Sequence, residues 1–146
     1  MITDEQGVEW AWLIPELSCA DLEKSITFYI SQLGFSVRFT RKGFAFIERG
    51  KLQIMLEQAG EGWKTAPLEH PYGRGVNFSM EVADVDAMVA VMSHDTPLFR
   101  PIAENWYRED VQEHGQREFL IQDPDGYLLR FTQSLGMRAV RAETLK

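Results

Sequence analysis

The chain has one cysteine, Cys19, so no disulfide can form within it, and a reducing cytoplasm is the expected setting. No apolar run approaches the ~18 residues that a membrane helix needs. Basic residues are scarce, 15 Lys and Arg against 22 Asp and Glu, for a net charge of −7. Nucleic-acid phosphates demand a basic face, so no nucleic-acid partner is expected. The stretch Met1-Ile2-Thr3-Asp4-Glu5-Gln6 lacks a basic region followed by an apolar one, which predicts no signal peptide. An acidic balance is compatible with a cationic small ligand, because an acidic cleft concentrates positive charge.

What is present is ordinary for a globular protein: 146 residues, 45% hydrophobic and 25% charged, enough for one domain or two small similar halves. The strongest pattern is Arg117-Glu-Phe-Leu-Ile-Gln-Asp-Pro-Asp-Gly126-Tyr-Leu-Leu-Arg-Phe131. It reads as strand, tight turn, strand, with proline presetting φ and glycine accepting a positive one. Upstream, residues 8–19 predict a first strand, bent or at an edge because Pro15 cannot donate. Asp21 then caps a helix over 22–33 whose face carries Leu22, Ile26, Tyr29, Ile30 and Leu33. Gly34 ends it. Strands follow at 35–40, 43–48 and 51–57, and residues 58–74, rich in Gly and Pro, read as a linker.

The plan then recurs. A strand at 75–82 leads to Ala83-Asp84-Val85-Asp86, which opens a helix to about residue 93 and parallels Ala20-Asp21-Leu22-Glu23. Strands near 98–108, 114–122 and 127–133 complete the half, and 136–146 reads as a short helix or loose tail. Two tandem βαβββ modules, spanning 8–58 and 75–134 of one 146-residue α+β domain with a 59–74 linker and a 135–146 tail, are therefore expected.

This repeat, the segment Pro15-Glu-Leu-Ser-Cys-Ala-Asp21 through Phe28-Tyr29, Leu33-Gly34-Phe35, and Arg117 to Gly126 together resemble the vicinal oxygen chelate superfamily. Within it they are similar to the glyoxalase/bleomycin resistance group. The resemblance implies curled mixed sheets and a homodimer with ligand clefts between modules or subunits. In metal-dependent members it also implies four ligand positions. These hold Ile14, Asn77 and Arg130, with the fourth near Met55, and Glu57 is the nearest carboxylate. A hydrocarbon, an amide, a guanidinium and a thioether do not make a chelating set. None of His70, His94 and His114 falls at such a position. No metal and no cofactor are expected.

The resemblance then implies the antibiotic-binding branch: a metal-free, cytoplasmic homodimer that sequesters a bleomycin-type, cationic and aromatic small molecule without converting it. Phe39 and Phe44 stand where that group places its groove aromatics, and Pro15 where its first strand crosses to the partner. His114 or Gly115 replaces a tryptophan commonly placed before Arg-Glu-Phe. From the residues themselves, Trp63 in a Gly-rich loop and Trp106 with Tyr107 are either stacking faces or core. Asn77 and Ser79 alternate onto one strand face. Arg130, inside an apolar strand, must meet a carboxylate such as Glu57 or Glu118, a ligand, or solvent. Trp10 and Trp12 read as part of the first strand's subunit interface, and Cys19 as a small buried residue. The expected ligand-binding set is Phe39, Phe44, Trp63, Asn77, Ser79, Trp106, His114 and Arg130, with no catalytic residue. The alternative is a divergent lyase or isomerase of the same superfamily, with Glu57 as base and one divalent metal.

Overall fold

Two aspartates do the same job 63 residues apart (84 minus 21). In a computed structural model of the chain, which describes residues 9–60 and 62–140, the side chain of Asp21 accepts from the Lys24 amide and that of Asp84 from the Ala87 amide. Each thereby satisfies an amide that the first helical turn leaves without a partner. The helices they open are α1 (Leu22–Ser31) and α2 (Val85–Ala90), and the strands are β1 (Glu16–Cys19), β2 (Ser36–Arg41), β3 (Phe44–Arg49), β4 (Leu52–Gln58), β5 (Asn77–Glu81), β6 (Arg100–Glu109), β7 (Gln112–Gln122) and β8 (Leu128–Ala139). This is βαβββ twice. The strands form two four-stranded sheets, ordered β1-β4-β3-β2 and β5-β8-β7-β6. In each, only the first strand pairs in parallel.

The chain divides into two units, one running to Tyr72 with Asp123–Gly126 added, the other formed by Gly73–Gln122 and the residues from Tyr127 on. In the first unit, α1 lies over β4 and β2. The amide of Leu22 donates to the Gln58 side chain, so the face of β4 that carries Ile54, Leu56 and Gln58 is the helix side. Leu17, Cys19, Ala45, Ile47, Ile54 and Leu56 are buried there, as are Leu22, Tyr29 and Leu33. Of the expected apolar face Leu22, Tyr29 and Leu33 are buried, while Ile26 is half-buried, Ile30 is 43% exposed and Ser25 joins the buried stripe. A serine holds that place because its hydroxyl donates to Asp125. Asp125 also accepts the amide of Ala20 at 3.0 Å, and Asp123 accepts the Tyr29 hydroxyl at 2.8 Å. The Asp-Pro-Asp-Gly turn thus supplies buried acceptors to the first unit. Gly126 has φ 93°, and a Cβ there would collide with Pro71.

In the second unit, α2 lies over β7 and β8. Gln133 accepts the Val85 amide and Arg117 pairs with Asp86, which marks the face carrying Phe119, Ile121, Leu129 and Phe131 as the helix side. Phe119 and Phe131 stack there at 5.5 Å.

Three boundaries differ from expectation. β1 begins only at Glu16, because the preceding arm is held by a side chain instead of a ladder: the Ala11 amide donates to Gln53 Oε1 and Gln53 Nε2 to the Glu9 carbonyl. Helix α2 ends at Ala90, and Val91 closes it with a bond to Val89. Residues 135–139 are strand rather than tail, since β8 continues past an irregularity at Gly115/Gln116 to pair Ala139 with Gln112.

Candidate functional site

Each sheet has a second face, opposite its own helix. In the first unit, residues paired directly across the ladders share that face: Glu16 with Met55, Met55 with Phe46, Phe46 with Phe39, and Glu57 with Phe44. Four aromatic rings gather on it. Phe39 stacks on Phe46 at 5.3 Å and 14°, and lies 6.0 Å from Phe44. Trp10 meets Phe46 edge-on at 4.8 Å. Such pairs contribute roughly 0.5–1.5 kcal/mol beyond their burial. Phe44 and Phe46 are 5% and 0% exposed although no helix covers them. The guanidinium of Arg41 lies 3.7 Å above Phe44, and that of Arg38 5.2 Å from Trp10. Phe39 is half-buried and forms the accessible edge of the cluster.

Beside these rings stand two carboxyl groups, Glu16 on β1 and Glu57 on β4. A hydrogen bond between them raises the Glu16 pKa first of all, helped by partial burial and the charge of Glu57 and opposed by Arg41. Two carboxylates this close favour sharing a proton or meeting a cation.

The second sheet presents a polar face in the same place. Asn77, Ser79 and Glu81 are exposed on β5. Ser79 lies opposite Arg130, which lies opposite Leu120. Glu118 is 4% exposed. Its Oε1 accepts Asn105 Nδ2 at 3.1 Å and the Tyr107 hydroxyl, and its Oε2 is 4.0 Å from Arg130 Nη1. Hydrogen bonding to Glu118 is the main reason that the Tyr107 pKa is raised. Arg130 therefore finds Glu118, while Glu57 belongs with Glu16.

The remaining predicted residues are dispersed. Trp63 is 92% exposed on its loop. Trp106 lies against Gly115 and under Arg138, whose guanidinium is 3.6 Å from the ring, with its Nε1 donating to Glu104. A Cβ at 115 would collide with the ring, which is why only glycine fits there. His114 Nε2 is 2.9 Å from Ser134 Oγ. Trp12 is 85% exposed, whereas Trp10 joins the aromatic cluster. Two open clefts, of about 450 and 420 Å³, are lined by Glu9, Trp12, Glu48, Lys51 and Gln53 in one unit and by Glu81, Gln133 and Ser134 in the other. None of the predicted residues lines either cleft.

The residues at the four positions where the resemblance implies metal ligands do not make a chelating set. In the first unit they are Ile14 and Met55, and in the second Asn77 and Arg130, the last engaged with Glu118. Among the described residues, no group of three His, Cys, Asp or Glu side chains converges on a common point. Cys19 is fully buried and burial pushes its thiol up to about 12, so it is an undissociated core residue at neutral pH.

Known proteins resemble this chain in sequence and in fold. The chain is 30% identical over 133 residues to bleomycin resistance proteins of Geobacillus stearothermophilus and Staphylococcus aureus, covering 84% of this chain and 96% of each relative. A crystal structure of a protein from Agrobacterium tumefaciens str. C58 superposes with a TM-score of 0.62 at 27% identity, over 89% of this chain and 97% of that one. TioX from Micromonospora sp. ML1 has the same fold, with a TM-score of 0.65 at 18% identity, over 86% and 100% of the two chains. The family model for the Glyoxalase/Bleomycin resistance protein/Dioxygenase superfamily matches residues 13–131. With both helix caps, the aspartate turn and all the strands but the end of β8 inside that span, this chain belongs to the Glyoxalase/Bleomycin resistance protein/Dioxygenase superfamily.

Proposed function

We propose that the protein binds and sequesters a flat, partly cationic small molecule of the bleomycin type, as a cytoplasmic homodimer and without chemical conversion. The observation that carries this reading is the ring cluster of Trp10, Phe39, Phe44 and Phe46 beside the Glu16–Glu57 pair, on a sheet face that its own helix leaves open. Aromatic faces offer stacking area, and paired carboxyls offer a counter-charge. The relatives' name, bleomycin resistance protein, points the same way. Arg41 acts as a gate in this reading: it covers Phe44 and moves aside when a flat ring takes its place. Phe39, Phe44 and Trp63 in the first unit, and Asn77, Ser79 and Arg130 on the polar face of the second, are the proposed contact residues, each set taken by itself. His114 and Trp106 are proposed to shape the strands behind them.

The test is a titration of the full chain with metal-free and with copper-loaded bleomycin, followed by tryptophan fluorescence, to which Trp10 reports. Saturable quenching at micromolar ligand supports the reading. A flat response from folded protein overturns it.

A further inference from the structure

On the open face of the second sheet, two buried atoms of opposite hydrogen-bonding character lack partners. Glu118 Oε2 accepts nothing and Arg130 Nε donates to nothing. The 4.0 Å between Arg130 Nη1 and Glu118 Oε2 is too long for a hydrogen bond. Glu118 is otherwise well held, since Asn105 and Tyr107 fix its other oxygen. Its second oxygen is thereby aimed rather than adaptable, and native proteins rarely leave such a buried acceptor unused without a functional reason. The Arg130 side chain is 31% exposed, which leaves the arginine side of the pair in reach of solvent.

We propose that Glu118 and Arg130 form a recognition site for a neutral, planar amide edge, a primary carboxamide or lactam. Its N–H donates to Glu118 Oε2 and its C=O accepts from Arg130 Nε. Charge decides between this and the alternatives. A cation attracted by Glu118 is repelled by Arg130 at nearly the same distance, and an anion meets the converse. A neutral group with one donor and one acceptor satisfies both atoms without either repulsion. Ser79, opposite Arg130 on the neighbouring strand, offers one further hydroxyl on the same face. This deepens the reading of the protein as a small-molecule binder and rests on it for nothing but that class. It concerns the second unit, whereas the aromatic cluster lies in the first.

Three isosteric probes separate the possibilities: benzamide, benzoate and benzamidinium, titrated at millimolar concentration into the full chain near pH 8, with protein-observed NMR as the readout. The wild type is expected to bind benzamide best, with shifts at Asn105, Tyr107, Glu118 and Arg130. E118Q should move the preference to benzoate, and R130M to benzamidinium, each by about tenfold relative to benzamide. Should E118Q fail to fold, R130M decides alone, because its position is only part-buried. A wild type that prefers either charged probe or binds none, or variants that weaken all three equally, overturns the proposal. Benzamide preference without bleomycin binding would overturn the antibiotic reading and leave this one standing. Bleomycin binding without benzamide preference would do the reverse.

Discussion

The two open sheet faces occupy corresponding positions and differ at a handful of residues. The Glu16–Met55 pair of β1 and β4 corresponds to Ser79–Arg130 of β5 and β8. Phe46 opposite Met55 corresponds to Leu120 opposite Arg130, and Phe44 opposite Glu57 to Glu118 opposite Thr132. One backbone plan thus presents stacked rings with two carboxyls in the first unit, and an ion pair with amide and phenol neighbours in the second. The helix-side faces, by contrast, are apolar in both. A duplicated module keeps its core pattern because burial enforces it, whereas the opposite face is free to diverge chemically.

The largest expected effect breaks this comparison at Phe46 and Leu120. Phe46 is fully buried and touched by Trp10 and Phe39, so Phe46→Ala should cost about 3–5 kcal/mol. Leu120 is only half-buried, and Leu120→Ala should cost about 1–2 kcal/mol. Urea unfolding of both variants checks the ratio. Equal costs would mean that the aromatic face is not a second small core.

Removing the guanidinium in Arg130→Met leaves Glu118 buried beside a thioether. Breaking a fully buried pair costs about 3–5 kcal/mol, but this one is long and partly exposed, so about 1–3 kcal/mol is expected. Urea denaturation of the wild type and the variant measures it.

Tyr29→Phe removes the donor to Asp123 in the first unit and leaves a buried acceptor short of one bond. A cost of about 1–3 kcal/mol is expected, read as a lowered melting temperature. No loss would show that the aspartate turn serves only its own hairpin.

The smallest effect is at Glu16. Its raised pKa means that the folded chain holds this proton more tightly than the unfolded one. That contribution is complete below the ordinary value of 4.5 and is lost as pH rises through the raised one. Glu16→Gln keeps a hydrogen bond to Glu57 and removes the repulsion. It should therefore raise the melting temperature slightly near neutral pH, by about 1–2 °C for a largely exposed group, and do nothing near pH 4. A drop at neutral pH would contradict the pairing.

The repeat was legible in the sequence because its punctuation is local: Asp21 and Asp84 as caps, Gly34 after α1, and a Pro-Asp-Gly turn. What was not legible depends on register. Nothing in the sequence ties Asp123 to Tyr29 or Asp125 to Ser25, and of the face expected for α1 Leu22, Tyr29 and Leu33 are buried while Ile26 and Ile30 give way to Ser25, which the Asp125 acceptor draws inward. Phe39 and Phe44 were identified, but Trp10, which joins their cluster, was read as part of a subunit interface, and Phe46 was not singled out before the pairing of β2 with β3 set it beside Phe39. Arg130 was recognised as needing a carboxylate. The choice of Glu118 over Glu57 follows only from the β7–β8 ladder.

The account stands or falls on whether the first sheet's aromatic face takes up a flat ligand. The most direct measurement is calorimetric titration of metal-free bleomycin into the wild type and Phe39→Ala, a variant that opens the accessible edge of the cluster while sparing its buried rings. Saturable binding by the wild type, weakened about tenfold or more in the variant, is the predicted result. Equal affinity in the two folded proteins would contradict it.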